Sequence, residues 1–497
     1  MKRVLPILLG VVVAAGAFLL PFPLNTQERY VAAVTLLMVT WWITGAVPLE
    51  ATALLPLALF PLTGVLSAGE AAAPYADKVI FLFLGGFIIA ASMQRWNLHK
   101  RIALGIVSMV GTSPRRIVLG FLIATAFISM WISNTATAMM MMPIAISVIA
   151  TIIPEGMRNG KKERSFATAL VLAVAYAASI GGMATIIGSP PNGIFIAQLG
   201  TLFPQAPRID FFNWLLFGVP FMVLFIPICW AWLVYGPFRD MPEYGGEART
   251  VIDRELAALG PLSRGEKNTL VIFVGIALAW IFETTKVIGG ITVPGLDVLF
   301  PQIDDSTIAI LGALALFLLP VDVRKMEFTM DWKTAVQIPW GILILFGGGL
   351  ALSVAFIRSG LAKEIIGAFS ILNGLPVVLL VLLIACVVAI LTEVTSNTAI
   401  ASILIPVMAV TSVGLGIHPV LLMLTVAICA SLGFMLPVAT PPNAIAFGTG
   451  YVSMRQMIRG GWGLDVIGVI LWTTLLFTLV STVLGIGIGV PPWAVAP

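Results

Sequence analysis

The chain has 497 residues, 59% of them hydrophobic and 10% charged, with a mean hydropathy of +1.06 and a formal net charge of +4. A soluble domain carries about 25% charged residues, so these values exclude a water-soluble globule, and the small positive charge needs no acidic or nucleic-acid partner. Apolar runs close to the ~20 residues that cross a bilayer fall at 5–24, 30–48, 51–67, 79–97, 166–187, 213–236, 269–285, 306–320, 340–357, 419–437 and 465–487. The alternating short strands of an outer-membrane barrel are absent. The expectation is therefore an all-α polytopic membrane protein with about 11 transmembrane helices. The run after Lys2 and Arg3 has no convincing small-residue cleavage site, and it is read as a first helix rather than a signal peptide. Cys229, Cys386 and Cys429 lie within apolar runs without metal-ligand spacing and read as small core residues.

Two further stretches break the apolar pattern. "ISNTATAMMMMPIA" (132–145) and "TSNTAIASILIPVMA" (395–409) each place a Ser-Asn-Thr triplet in apolar surroundings. An offset of 263 superimposes the regions around them: Phe83 falls on Phe346, Gly85-Gly86 on Gly348-Gly349, Arg95 on Arg358, Ser133-Asn134-Thr135 on Ser396-Asn397-Thr398, and Pro143 on Pro406. At an offset of 251, "GGMATIIGSPPN" (181–192) matches "LGFMLPVATPPN" (432–443). The chain accordingly divides into N-terminal scaffold helices (1–78) and a first repeat (79–236), with a re-entrant hairpin at 117–153 and a broken helix at 166–200. A cytoplasmic connection (237–267) and a scaffold helix that leads into the second repeat (268–340) follow. The second repeat core (341–462) has its hairpin at 376–413 and its broken helix at 419–450, and a C-terminal helix (463–497) ends the chain.

Lys and Arg placement orients the plan. With a cytoplasmic N-terminus and hairpins that return to the side they left, only Arg29, Lys78, Arg208, Lys286, Arg358 and Lys363 of the 27 basic residues fall outside, and the C-terminus is outside too. Letting each hairpin cross fully would export Arg158, Lys161, Lys162 and Arg164. The hairpin reading makes the repeats inverted, an arrangement typical of secondary transporters whose substrate site lies where the repeats meet.

The residue types suit such a site. Ser, Asn and Thr cap helices and tolerate turns, so helices starting after Thr135 and Thr398 would aim two positive dipole ends at one cavity and create an anion site. The Pro-Pro pairs at 190–191 and 441–442 must break their helices. Carbonyls freed there, such as those of Gly188 and Ala439, can ligate a small hard cation, and Asn192 and Asn443 would start the next half-helices. A single polar triplet in a membrane helix is usually helix–helix glue; two different motifs, each present twice in inverted repeats, point to function.

On these paired "SNT" motifs and the "SPPN" (189–192) and "TPPN" (440–443) segments, the chain resembles the divalent anion/sodium symporters. These carry succinate, malate, fumarate, citrate or sulfate. The resemblance implies a homodimer with an elevator-type transport domain. It also implies two Na+ sites, one using Ser129, Ser133, Asn134 and Gly188, the other Thr392, Thr395, Asn397 and Ala439. Substrate carboxylates would meet Ser133, Asn134, Thr135, Ser396, Asn397, Thr398, Thr440 and Pro441. The implied activity is sodium-coupled C4-dicarboxylate symport across the cytoplasmic membrane.

Glu393 is the one acid placed deep in a membrane run, either as a cation or proton partner or as a hydrogen-bonded carboxyl bracing the hairpin; its counterpart is Met130. The Met139–Met142 run reads as flexible packing, and His99 and His418 as surface residues at segment ends. "NLHKRIAL" (97–104) and "RSGLAKEI" (358–365) suit helices lying in the interface. Competing functions are a sodium-independent exchanger and a sodium/proton antiporter, which would need a buried acid in each key segment. An intramembrane enzyme lacks its parts, with only two His, no His-Glu-x-x-His and no mid-membrane Asp pair. No Walker motif supports ATP-driven transport.

Overall fold

The computed structural model describes residues 4–19, 23–111, 113–153, 160–243, 248–288 and 291–494; Lys2, Arg3 and Arg158 of the orientation argument lie outside them. The described chain is helical throughout, with two short antiparallel strand pairs, Lys286–Ile288 with Ile291–Val293 and Pro320–Asp322 with Glu327–Phe328. Eight helices among the described residues are long and apolar enough to cross a membrane. Three of the eight are hairpin arms. The expected run at 51–67 is instead two short helices, Leu49–Thr52 and Leu55–Thr63, with a proline next to or inside each start. The run at 419–437 keeps helical form only over Pro419–Cys429.

The repeated sequence produces repeated structure. Each repeat opens with a long helix, Lys78–Arg95 or Trp340–Ser359, followed by a shorter one, Leu98–Val110 or Leu361–Phe369. A pair of arms comes next, Pro114–Ser129 with Asn134–Ile152 in the first repeat and Val377–Val394 with Asn397–Gly414 in the second. The broken helices follow, Lys161–Gly182 with Pro190–Leu202 and Pro419–Cys429 with Pro441–Gly448. Phe83 and its counterpart Phe346 touch edge to face, ring centroids 4.9 Å apart, so the repeats meet through the same residue on each side. Gly85 and its counterpart Gly348 allow close backbone approach, since a Cβ at either would sit within 2.6 Å of Ala309 or 2.5 Å of Ala53 backbone atoms.

The two broken helices form the interior. Every residue from Phe166 to Ser189 is buried, as is every residue from Pro419 to Phe434. The Phe211–Tyr235 and Met454–Leu475 helices pack around them, with Trp214 and Trp472 fully enclosed.

Several expectations change. His99 and His418 are buried, at 7% and 6% exposure. The His99 Nδ1 is 2.9 Å from Met93 O, and the His418 Nδ1 accepts from Val420 N at 3.3 Å, so each ring satisfies local backbone instead of water. Cys386 is exposed on a hairpin arm rather than in the core, because the first arm of the second hairpin turns one face outward; Cys229 and Cys429 are buried. Asp465, in the middle of the Met454–Leu484 span, is another buried acid, 6% exposed, which its position at the edge of an apolar run did not reveal. The half-helices start earlier than expected, at Pro190 and Pro441 with Ser189 and Thr440 as N-caps, because proline is favoured in a first helical turn. The second hairpin arms likewise start at Asn134 and Asn397, with Ser133 and Ser396 in the N-cap positions and a side-chain cap bond made by Ser133 alone of the two.

Candidate functional site

Both triplets and both Pro-Pro breaks line one cavity of 770 Å³. Ser133, Asn134, Thr135, Ser396, Asn397, Thr398, Thr440 and Pro441 all face it, as do Gly188, Thr395 and Ala439. Trp42, Thr44, Gly45, Leu49, Phe87 and Ile342 complete its wall, contributed by helices outside the hairpins, and no Lys, Arg, Asp or Glu is among the described lining residues. The cavity shares Phe87, Ser133, Thr135 and Ile342 with an adjoining one of 620 Å³ that leads past Met139 and Gln337 to Gln94 and Arg95.

Ser129 and Thr392 sit behind the cavity, fully buried. In the first repeat the Ser129 hydroxyl donates to Ala178 O at 2.6 Å and lies 2.8 Å from the Asn134 side-chain oxygen. That end of the Asn134 amide is also 3.2 Å from Gly188 O and 3.0 Å from Ala178 O. Carbonyl and amide oxygens crowded this way repel one another unless the amide nitrogen turns toward them or a cation lies among them. In the second repeat the Thr392 hydroxyl lies 2.7 Å from both Asn397 Oδ1 and Ala430 O, with one proton to donate between them. The two frames share the contact of a hydroxyl with an Asn side-chain oxygen and a helix-end carbonyl.

Behind each frame an asparagine pins the break. Asn192 Nδ2 donates to Gly182 O and Thr185 O at 3.0 and 2.8 Å, and Asn443 Nδ2 donates to Gly433 O and Leu436 O, both at 3.0 Å. These four carbonyls correspond at the offset of 251. Each break is therefore a fixed bend rather than a slack linker, its backbone groups satisfied by a side chain at a depth where water is scarce. Gly182 leaves room for the frame, because a Cβ there would lie 2.4 Å from Asn134 Oδ1. In the buried interior, Ser189 Oγ is 3.3 Å from Ser431 Oγ, tying one break to the other.

The geometry sorts helix ends by sign. The N-termini at Asn134, Asn397, Pro190 and Pro441 face the cavity, twice the two ends expected from sequence. The C-terminal ends of Lys161–Gly182 and Pro419–Cys429 bring the Ala178 and Ala430 carbonyls to the frames. Helix starts favour anions and carbonyl-rich ends favour cations. Backbone carbonyls of Ala178 and Ala430 join both frames and escaped sequence reading, since a backbone oxygen has no residue-type signature. Among the described residues no group of three or more His, Cys, Asp or Glu could hold a metal ion, so any cation bound here meets neutral oxygen ligands.

Comparison with known proteins identifies the family. Residues 1–485 match the model of the sodium:sulfate symporter transmembrane region. The chain is 41% identical over 501 residues to the sodium-dependent dicarboxylate transporter SdcS of Staphylococcus aureus strain COL, covering 97% of this chain and 93% of that protein. The SdcS of strain N315 matches to the same extent. Among solved structures, MtrF of Neisseria gonorrhoeae, described among antimetabolite efflux pumps, aligns with a TM-score of 0.58 at 13% identity, covering 98% of this chain and 96% of that one. The YdaH transporter of Alcanivorax borkumensis aligns with a TM-score of 0.53 at 14% identity, covering 91% and 98%. These two likenesses concern fold alone. With its doubled frames, its uncharged cavity and a family match along almost its whole length, the chain belongs to the sodium:sulfate symporter family, the divalent anion/sodium symporters, which are transporters and not enzymes.

Proposed function

We propose that this chain carries C4-dicarboxylates such as succinate, malate or fumarate across the cytoplasmic membrane together with sodium. The observation that carries the reading is a cavity with helix N-termini around it, a carbonyl frame on each side and no basic side chain in its described lining. A dicarboxylate brings two negative charges, and burying them unpaired is prohibitive. Each helix N-terminus offers about half a unit of positive charge, but the helix C-termini at the frames offset it. Cations must supply the balance. One would bind Ser129, Ser133, Asn134 and Gly188 with the Ala178 carbonyl, the other Thr392, Thr395, Asn397 and Ala439 with the Ala430 carbonyl. Substrate carboxylates would then meet Ser133, Asn134, Thr135, Ser396, Asn397, Thr398, Thr440 and Pro441. The choice of dicarboxylate over sulfate follows the names of the 41% identical relatives.

Movement of the hairpins and broken helices as one body against the remaining helices, in a homodimer, fits a site walled by both. The adjoining cavity toward Arg95 would be the cytoplasmic exit. A cysteine at position 160 should react from the cytoplasm and one at 296 from outside; labelling of 160 from outside would remove the re-entrant topology. Function itself is tested by succinate binding to purified protein in sodium and in choline. Affinity should fall at least about tenfold in choline, a coupling of ~1.4 kcal/mol. Unchanged affinity would refute symport and favour the exchanger.

A further inference from the structure

We infer that Glu393 is a positioning residue for the second cation site, holding the unwound segment 433–440 in the shape that presents the Ala439 carbonyl. The inference rests on the cation sites proposed above and assigns a role that the repeat symmetry does not supply. Glu393 is 3% exposed and faces away from the cavity wall. Its two carboxylate oxygens accept from Met435 N and Leu436 N, each at 2.8 Å. Leu436 in turn governs the rest of the bend, its carbonyl accepting from Asn443 Nδ2 at 3.0 Å and from Ala439 N at 3.2 Å. The path from carboxylate to proposed ligand therefore runs through one residue.

The first repeat makes the same contact with different chemistry. Met130 occupies the place of Glu393, and Thr185 that of Leu436. There the Thr185 hydroxyl donates to the Met130 carbonyl at 2.5 Å, and Ala184 N donates to Gly181 O at 3.0 Å, a continuation of helical bonding. The second bend cannot copy this. Leu436 has no hydroxyl, and Pro437 favours extended backbone in the residue before it. Its N–H groups would be orphaned inside the protein without an acceptor, and a carboxylate supplies two at once.

Asp465 lies beside this brace. It is 6% exposed on the Met454–Leu475 helix and faces Glu393 and the Phe434 backbone. Gly461, one turn earlier, lets that helix approach the bend, since a Cβ there would lie 2.2 Å from Phe434 O. Both Asp465 oxygens are buried without a hydrogen-bond partner among the described residues, while the Glu393 oxygens already accept N–H bonds.

The test is the sodium dependence of succinate uptake in proteoliposomes, paired with thermal stability of purified protein in sodium and in choline. Glu393→Gln replaces one acceptor by a donor, and it should raise the sodium concentration for half-maximal uptake about tenfold while the rate at saturating sodium falls less than about threefold. Glu393→Asp, which keeps the charge but shortens its reach, should give a smaller shift in the same direction and serves if the Gln variant does not fold. The stabilisation gained on adding sodium should shrink in both variants. A brace with only a structural role would lower stability equally in sodium and choline and leave the half-maximal concentration unchanged, which would overturn the inference. Thr392→Ala separates the two levels. If it shifts sodium dependence and the Glu393 variants do not, the positioning role fails and the cation site stands; if neither shifts it, the site reading fails and takes the positioning role with it.

Discussion

The two half-sites share a frame and differ in what stands behind it. Ser129, Asn134 and Asn192 in the first repeat have hydrogen-bonded equivalents in Thr392, Asn397 and Asn443. Behind the first frame, residues 183–189 are all buried and bonded locally, with Thr185 acting on its own bend and on Met130. Behind the second, residues 435–437 are half-buried, Val438 is 67% exposed, and a charged side chain from the neighbouring arm holds the backbone. Matching frames are thus backed by packing on one side and by a carboxylate on the other. Packing tolerates little change in volume, whereas a charge-assisted brace tolerates volume but not loss of the acceptor. The halves should fail in different ways.

The largest effects come from the part they have in common. Asn134→Ala and Asn397→Ala each delete the side chain that bonds the frame hydroxyl, Ser129 or Thr392, and each should cut succinate uptake about 100-fold or more without preventing membrane insertion. Uptake at the wild-type level by both variants would show that the triplets only pack helices together. Loss in one alone would show that a single frame carries the cation.

The difference between the halves is sharpened by adding one carbon to each. At Gly182 a Cβ would sit 2.4 Å from Asn134 Oδ1 and 3.0 Å from its Cγ, in a side chain held by the frame. At the equivalent Gly433 the nearest atoms are Ala439 Cβ at 3.1 Å and Thr392 Cγ2 at 3.5 Å, beside a bend with an exposed turn. Gly182→Ala should therefore reduce uptake about tenfold and Gly433→Ala only about twofold. Equal losses, measured at matched protein levels, would mean that the second bend is as tightly fixed as the first.

What could be read from sequence was whatever repeats in side chains. The triplets, the Pro-Pro breaks and the two offsets located the two matching halves of the site, because Ser, Asn, Thr and Pro are costly in lipid and stand out there, while the individual ligand sets came from the family resemblance. Backbone contributions were hidden. Ala178 and Ala430 look like ordinary helix residues, and their carbonyls matter only because the helices end there. Asp465 sat at the margin of an apolar run, where a charge normally marks the bilayer edge, so its approach to Glu393 was invisible without the packing of Gly461 on Phe434. The apolar runs at 51–67 and 419–437 were the right length for spans, yet proline content and the unwound bend shortened both. Hydropathy reports solubility in lipid and says little about where helical hydrogen bonding stops.

The smallest effect concerns the outermost symmetric pair. Arg95 and its counterpart Arg358 end equivalent helices, and each finds an acid: Arg95 pairs with Asp331 at 2.6 Å and Arg358 with Glu70 at 3.3 Å. Arg95 is the more enclosed of the two arginines, with side-chain exposure of 21% against 66%. Asp331 also caps the Trp332–Ala335 turn, and its hydrogen bonds from Thr334, with the Arg95 charge beside it, hold its carboxyl below its ordinary value of 3.8. A lowered folded value means that the stabilisation is complete above 3.8 and is lost as pH falls through the lower folded value. Asp331 is largely solvated, so screening keeps the pair's worth below about 1 kcal/mol. Asp331→Asn should accordingly lower the melting temperature of the purified protein slightly at pH 7, more than Glu70→Gln does, and the gap from wild type should close as pH drops below 3.8. A gap that persists in acid would assign the effect to the lost cap geometry rather than to charge.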